Sequence, residues 1–131
     1  MTRKRRILVV DDEADVRSML ELLLAHHGYE ARTAGTGMEA MVAVQAERPD
    51  LILLDVMMSD MDGWEVLKLL QLDEATREIP VVIVSARAEM RDKIRGLQEG
   101  AVDYLTKPFK MGEVVERIAV LLGAAPEPIA P

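Results

Sequence analysis

The sequence predicts a doubly wound α/β domain. Three uninterrupted apolar runs, Ile7-Leu8-Val9-Val10, Leu51-Ile52-Leu53-Leu54 and Val81-Val82-Ile83-Val84, are short and bounded by polar residues or proline. That is the pattern of strands buried on both faces at the centre of a parallel sheet. Stretches with helical period lie between the strand-like segments, and the two kinds alternate strictly, as helical crossovers between parallel strands require.

Each element follows in order. After the first strand, Val16, Met19, Leu20 and Leu23 form one apolar stripe on a helix that Gly28 ends. Tyr29 to Ala34 mixes polar with apolar positions and reads as an edge strand. Thr36 with Glu39 forms a capping box that starts the second helix, whose inward stripe is Met38, Met41, Val42 and Gln45 and which stops before Pro49. Leu51–Leu54 is the third strand, and Trp64, Leu67 and Leu70 stripe the third helix. Pro80 precedes the fourth strand; Met90, Ile94 and Leu97 stripe the fourth helix, and Gly100 closes it. Ala101 to Thr106 reads as the second edge strand, and Val114, Val115, Ile118, Leu121 and Leu122 stripe the fifth helix. With strands two and five at the edges and right-handed crossovers, the simplest order is 2-1-3-4-5. Ligands of such a sheet bind beyond the carboxyl ends of its strands, at the switch point between strands one and three.

Composition narrows the function. The 131 residues include no cysteine, which excludes a disulfide framework and cysteine metal sites. No apolar run approaches the ~20 residues of a membrane span, so a soluble cytoplasmic domain without membrane contact is expected. Arg3, Lys4, Arg5 and Arg6 hold four of the 16 basic residues, leaving 12 against 23 acids in residues 7–131, a net −11. Such an acidic body repels nucleic acid, and the basic leader reads as a solvated terminus.

Strand one ends in Asp11-Asp12, strand three in Asp55, strand four in Ser85 and strand five in Lys107 before Pro108. Read singly, Asp12 with Asp15 would cap the first helix, Ser85 the fourth, and Lys107 would be a solvated loop charge. Taken with the fold, four strand ends deliver three carboxylates, a hydroxyl and an ammonium to one crevice. Three such carboxylates repel one another unless a cation is present, and hard oxygen ligands suit Mg²⁺, with Mn²⁺ as an alternative. A carboxylate on the central strand could then act as a nucleophile towards phosphorus.

Five blocks in this order, Val9-Val10-Asp11-Asp12-Glu13, Leu54-Asp55-Val56-Met57-Met58, Met61-Asp62-Gly63, Val84-Ser85-Ala86 and Lys107-Pro108-Phe109, resemble the receiver domains of response regulators in two-component signalling. The chain is similar in particular to single-domain chemotaxis and sporulation regulators, and the likeness spans residues 6–122. It implies a flavodoxin-like fold in which Asp55 accepts a phosphoryl group from a histidine kinase or a histidine phosphotransfer protein. It further implies that Asp12, Asp55 and the backbone carbonyl of Met57 bind Mg²⁺ directly, with Asp11 acting through a metal-bound water. By the same resemblance Ser85 and Lys107 hold the phosphoryl oxygens with the backbone amides near Val56 and Ala86, and the Lys107-Pro108 bond is cis. Ser85 and Tyr104 would form the switch that alters the helix4-strand5-helix5 surface for a downstream effector or an output domain, with dimerisation on phosphorylation a further expectation. The domain would catalyse its own phosphorylation and dephosphorylation without turning over an external substrate.

Residues 1–5 read as a basic leader, 6–122 as the receiver and 123–131 as a linker-like tail. A free-standing regulator is favoured because Met1 and the tail bracket one whole domain; a receiver cut from a multidomain regulator or hybrid kinase is the alternative. One departure from the family pattern is Ser59, where a proline usually follows the acceptor by four residues; the change loosens the loop carrying Met57. Met57 and Arg87, each two residues past a site residue, are expected to flank the path of the water that removes the phosphate. Gly35-Thr36-Gly37-Met38-Glu39-Ala40 matches a G-x-G-x-x-A dinucleotide fingerprint, but it follows an edge strand. His26-His27 read as dipole-complementing residues whose side chains diverge, not as a metal pair. A haloacid-dehalogenase-type phosphatase would need an acid where Met57 stands, and a flavin module would need a Ser/Thr/Gly-rich loop in place of Asp11-Asp12-Glu13.

Overall fold

Backbone pairing is built on the three apolar runs. The computed structural model describes residues 3–58 and 61–123, so most of the linker-like tail and Ser59 lie outside the described residues. It contains β1 (Arg6–Val10), α1 (Ala14–His26), β2 (Glu30–Ala34), α2 (Gly37–Ala46), β3 (Leu51–Leu54), α3 (Gly63–Leu72), β4 (Val81–Ser85), α4 (Met90–Gln98), β5 (Asp103–Thr106) and α5 (Met111–Leu122). All pairings are parallel and the order is β2-β1-β3-β4-β5, as the burial argument requires. No described helix is long and apolar enough to cross a membrane.

The period of two along each strand splits the apolar runs between two cores. Leu8, Val10, Ile52, Leu54, Val81 and Ile83 face one layer, where they meet Ala40 and Val44 of α2 and Trp64, Val66, Leu67 and Leu70 of α3. Ile7, Val9, Leu51, Leu53, Val82 and Val84 face the other, against Leu20 and Leu24 of α1 and Val114 and Ile118 of α5. Continuous apolar runs are therefore needed in the central strands, because neither face meets water. β2 and β5 carry polar residues because each has an open edge.

Three expectations are corrected. On α2 the buried residues are Gly37, Ala40 and Val44, while Met38 and Val42 are 61% and 65% exposed. Apolar residues surround this helix on nearly every side, so periodicity cannot choose its phase, and small residues let it approach the sheet. On α4 the expected inward stripe is reversed: Met90, Ile94 and Leu97 are 69%, 46% and 55% exposed, and Asp92 and Gly96 are buried instead. A Cβ at Gly96 would lie 2.9 Å from Ile83 Cδ1 and 3.1 Å from the Tyr104 ring, so the bare backbone is what packs. At the end of α1 the two histidines do not diverge. His27 has left the helix as its C-cap, and its ring meets His26 edge to face with centroids 5.3 Å apart.

Thr36 caps α2 as expected, its Oγ1 accepting from the Glu39 N–H at 3.0 Å, while the Glu39 carboxylate reaches back to the Gly35 N–H at 2.9 Å, one residue before the cap. Asp62 caps α3 in the same way, accepting from the Glu65 N–H at 2.9 Å. Directly after that cap, Gly63 donates to the Val56 carbonyl at 3.0 Å, and a Cβ there would collide with the backbone of Asp55 and Val56. Gly63→Ala should therefore destabilise the domain by about 1–3 kcal/mol through overpacking. Gly112→Ala, where nothing lies within 4 Å, should be neutral or stabilise by up to about 1 kcal/mol. Equilibrium urea unfolding of the two variants checks this, and equal midpoints would refute the packing argument.

Candidate functional site

The sheet's hydrogen bonding continues one residue beyond its central strands. The Asp11 N–H donates to the Ala34 carbonyl at 3.1 Å and the Asp55 N–H to the Val10 carbonyl at 2.9 Å. The residues that follow β1 and β3 are thereby held side by side. The Lys107 N–H donates to the Ser85 carbonyl at 2.8 Å, which pins the end of β5 against β4.

Four of the expected site side chains come together. One carboxylate oxygen from each of Asp11, Asp12 and Asp55 lies within 4.8 Å of the others. Asp11 and Asp55 are only 3% and 5% exposed, whereas Asp12 is open to solvent. Lys107 Nζ donates to Asp11 Oδ2 at 2.7 Å and to Asp55 Oδ2 at 3.2 Å. The second oxygen of each buried carboxylate accepts from its own turn: Asp11 Oδ1 from the Glu13 N–H and Asp55 Oδ1 from the Met57 N–H, both at 2.9 Å. Such aspartate turns fix the carboxylates by local backbone geometry before any long-range contact is made. Over the cluster opens a cleft of about 340 Å³, lined by Asp12, Glu13, Asp55, Met57, Ala86 and Lys107.

Ser85 and Tyr104 stand outside the carboxylate–ammonium cluster. Ser85 is fully buried, and its Oγ accepts from the Arg87 N–H at 3.2 Å. The Tyr104 hydroxyl donates to the Arg87 carbonyl at 2.8 Å, while its ring lies against Gly96. Both side chains are thus engaged by the loop that joins β4 to α4. The Lys107–Pro108 peptide is cis.

Burial pushes the Asp55 carboxyl above its usual range, opposed by the Met57 amide and the Lys107 charge and reinforced by Asp11. Burial alone would lower Lys107, but its hydrogen bond to Asp11 and the charges of Asp55 and Asp11 raise it. With all groups ionised, three carboxylates and one ammonium leave the cluster two negative charges in excess. Asp12 has no hydrogen bond or ion pair among the described residues, so its oxygens are free to act as ligands. Hard oxygen donors, an excess of two charges and an unpaired exposed carboxylate fit a divalent cation of the Mg²⁺ or Mn²⁺ type.

Motif reading missed three features around this site. Arg17 Nη1 donates to the Asp11 carbonyl at 2.8 Å, Glu13 Oε1 lies 3.8 Å from Lys107, and the Arg95 guanidinium stacks 4.1 Å over the Trp64 ring. No spacing rule marks them: the Glu13–Lys107 and Arg95–Trp64 contacts join segments that only the fold brings together, and the Arg17 contact, six residues from Asp11, goes to a backbone carbonyl that no side-chain motif records. A cation one helical turn past the acidic pair was the sole hint of Arg17.

A 2-1-3-4-5 sheet with a buried acidic pair and a lysine at its switch point defines a class of doubly wound domains whose site is built to hold charge, not apolar ligands. Within that class, the chain belongs to the response regulator receiver domain family, whose pattern matches residues 7–119. It is 40% identical over 121 residues to the DNA-binding response regulator MtrA of Mycobacterium tuberculosis, covering 92% of this chain and 52% of that protein. It is 44% identical over 118 residues to the phosphate regulon transcriptional regulatory protein PhoB of Klebsiella pneumoniae, covering 90% and 52%. The chain thus spans about half the length of these relatives. Among solved structures it resembles the chemotaxis protein CheY4 of Vibrio cholerae, with a TM-score of 0.85, 30% identity and 90% and 98% of the two chains covered. A Francisella response regulator receiver domain matches with a TM-score of 0.86, 32% identity and coverage of 92% and 98%.

Two outcomes follow from the charge balance. Because the folded pKa of Asp55 is raised, its contribution to stability is fully present below the ordinary carboxylate pKa and is lost as pH rises through the folded value. At pH 7 its charge therefore opposes folding, and Asp55→Asn should raise the thermal midpoint in metal-free buffer. Added Mg²⁺ should stabilise the parent more than the variant; a lower midpoint for the variant in differential scanning calorimetry would contradict this. Conversely, Lys107→Met leaves two buried carboxylates uncompensated and should cost about 3 kcal/mol at pH 7, measurable by urea unfolding.

Proposed function

We propose that this domain accepts a phosphoryl group on Asp55 from a phosphohistidine, supplied by a histidine kinase or a histidine phosphotransfer protein. The observation that carries the proposal is the placement of Asp55: nearly buried, yet lining the cleft, with one oxygen on the Met57 amide and the other on Lys107. An Asp55 oxygen attacks phosphorus, an acyl-phosphate P–O bond forms, the donor's P–N bond breaks, and its electron pair leaves with the imidazole. Such a transfer depends mainly on positioning and charge stabilisation.

Lys107 meets the charge of the incoming phosphoryl group while remaining paired with Asp11. The backbone amides near Val56 and Ala86 and the hydroxyl of Ser85 supply further donors. Asp11, Asp12, Asp55 and the Met57 carbonyl would hold Mg²⁺, which when bound offsets the excess negative charge of acids and phosphate. Met57 and Arg87 flank the approach of the water that later hydrolyses the acyl phosphate. The protein thus acts on itself, without turnover of an external substrate.

Engagement of Ser85 by the phosphate withdraws it from the Arg87 N–H, on the loop whose Arg87 carbonyl also accepts from Tyr104. That shared loop is the physical link from the site to α4. Exposed Met90, Ile94 and Leu97 on α4, with Val102 before β5 and Met111 at the start of α5, supply apolar area for an effector protein, a second copy or an output domain. We take residues 6–122 as the receiver, with 1–5 as leader and 123–131 as linker. By likeness to MtrA and PhoB, the output served is transcriptional regulation through a DNA-binding part beyond this domain.

The test is intact mass spectrometry after incubation with Mg²⁺ and acetyl phosphate, on the parent and on Asp55→Asn. One acid-stable, alkali-labile phosphoryl adduct is expected on the parent and none on the variant. Equal labelling, or an unmodified parent, would falsify the assignment.

A further inference from the structure

Asp12 is the exposed member of the acidic cluster, and no hydrogen bond or ion pair holds its carboxylate among the described residues. Its direction is therefore set by its backbone. The peptide that joins Asp11 to Asp12 is anchored through one group, the Asp11 carbonyl, which accepts from Arg17 Nη1 at 2.8 Å. The preceding peptide is anchored too, since the Asp11 N–H donates to the Ala34 carbonyl at 3.1 Å. Arg17 reaches this carbonyl from the first turn of α1 by lying across Gly35, at the start of the β2–α2 connection. A Cβ on Gly35 would sit 2.9 Å from Arg17 Nη1 and 3.2 Å from Cζ. Gly35 does not have a positive φ, so its lack of a side chain answers to the arginine, not to a strained backbone. The Gly35 N–H is in turn held by Glu39 Oε2 at 2.9 Å, which fixes the floor on which the guanidinium rests.

We propose that Arg17, seated on Gly35, is a positioning residue that orients the Asp11–Asp12 peptide and so aims the Asp12 carboxylate at the divalent cation. The inference rests on the metal-dependent reading given above and adds to it the group that preorganises the ligand. A planar guanidinium can lie flat over a glycine and still direct one N–H at the carbonyl, which the tetrahedral ammonium of a lysine cannot do in the same place. Groups that orient metal ligands without touching the metal typically change affinity by about 10–100-fold when removed.

The experiment is a titration with Mg²⁺ alone, followed by calorimetry and by Trp64 fluorescence, on the parent, Arg17→Met, Arg17→Lys, Gly35→Ala and the double variant Arg17→Met/Gly35→Ala. Thermal midpoints in metal-free buffer are recorded alongside. Arg17→Met is expected to weaken Mg²⁺ binding about tenfold, and Arg17→Lys to recover part of that loss. Gly35→Ala retains every hydrogen-bonding group and needs only the guanidinium to move, so it should weaken binding in the same direction. In the Arg17→Met background the same alanine should add nothing, because the group it displaces is already gone. A purely structural arginine would lower the midpoint and leave the Mg²⁺ dissociation constant unchanged; parental affinity in both Arg17→Met and Gly35→Ala overturns the inference alone. A parent that takes up no Mg²⁺ overturns the metal reading and this inference with it. Should Arg17→Met fail to fold, Gly35→Ala and the lysine variant decide the matter in the same titration.

Discussion

The ammonium of Lys107, between Asp11 and Asp55, is the contact on which the rest of this structure depends. Parallel pairing places the ends of β1 and β3 side by side, and the residues that follow are both aspartates, nearly buried. Two such carboxylates would repel across a poorly solvated gap, and Lys107 Nζ within 2.7 and 3.2 Å resolves the conflict only in part. The lysine comes from the far edge strand, so β5 must lie beside β4 and α5 must cover it, through Val114 and Ile118. The residual negative charge, two in excess with all groups ionised, is of the sign that a divalent cation offsets.

Packing on the opposite layer joins the loop beside the site to α4. α4 approaches the sheet through Gly96 and buries Asp92, while its larger apolar side chains point outward. Tyr104 fills the space beside Gly96 and ties its hydroxyl to the β4–α4 loop that also holds Ser85. α4 is thus seated on a glycine, with few large side chains buried beneath it. Arg95 over Trp64 gives α4 a second attachment, to the helix that follows the Asp55 loop.

Much of this was legible from residue order alone. The apolar runs at Ile7, Leu51 and Val81 read as two-faced strands by their shortness, β-rich composition and polar or proline borders, and the polar residues of the neighbouring segments at Glu30 and Asp103 marked the edges. Asp11, Asp12, Asp55 and Lys107 were identifiable because each sits at the carboxyl end of a strand, where the topology of the sheet leaves a crevice. The phase of α2 was not legible, because Met38 satisfies helical periodicity as well as the buried Ala40 and Val44; on α4 periodicity pointed to Met90, Ile94 and Leu97, which lie outward, because only the bare backbone of Gly96 fits against Ile83 and Tyr104. Nor were the histidines at the end of α1 legible, since a chain leaving its helix at His27 turns a side chain that an ideal helix would point away.

The sequence by itself determined the alternation of elements, the strand order and the identity of the charged groups, because these follow from local periodicity and from which residues can tolerate burial. Tertiary structure alone decided which atoms meet. That Asp11 shares Lys107 with Asp55, that Arg17 lies against Gly35 as it grips the Asp11 carbonyl, and that α4 seats Gly96 on Ile83 and Tyr104 with its apolar side outward all depend on segments distant along the chain. Such contacts depend on distances of a few tenths of an ångström and on side-chain volume at a crossing point, quantities that residue order does not encode locally and that close packing alone resolves.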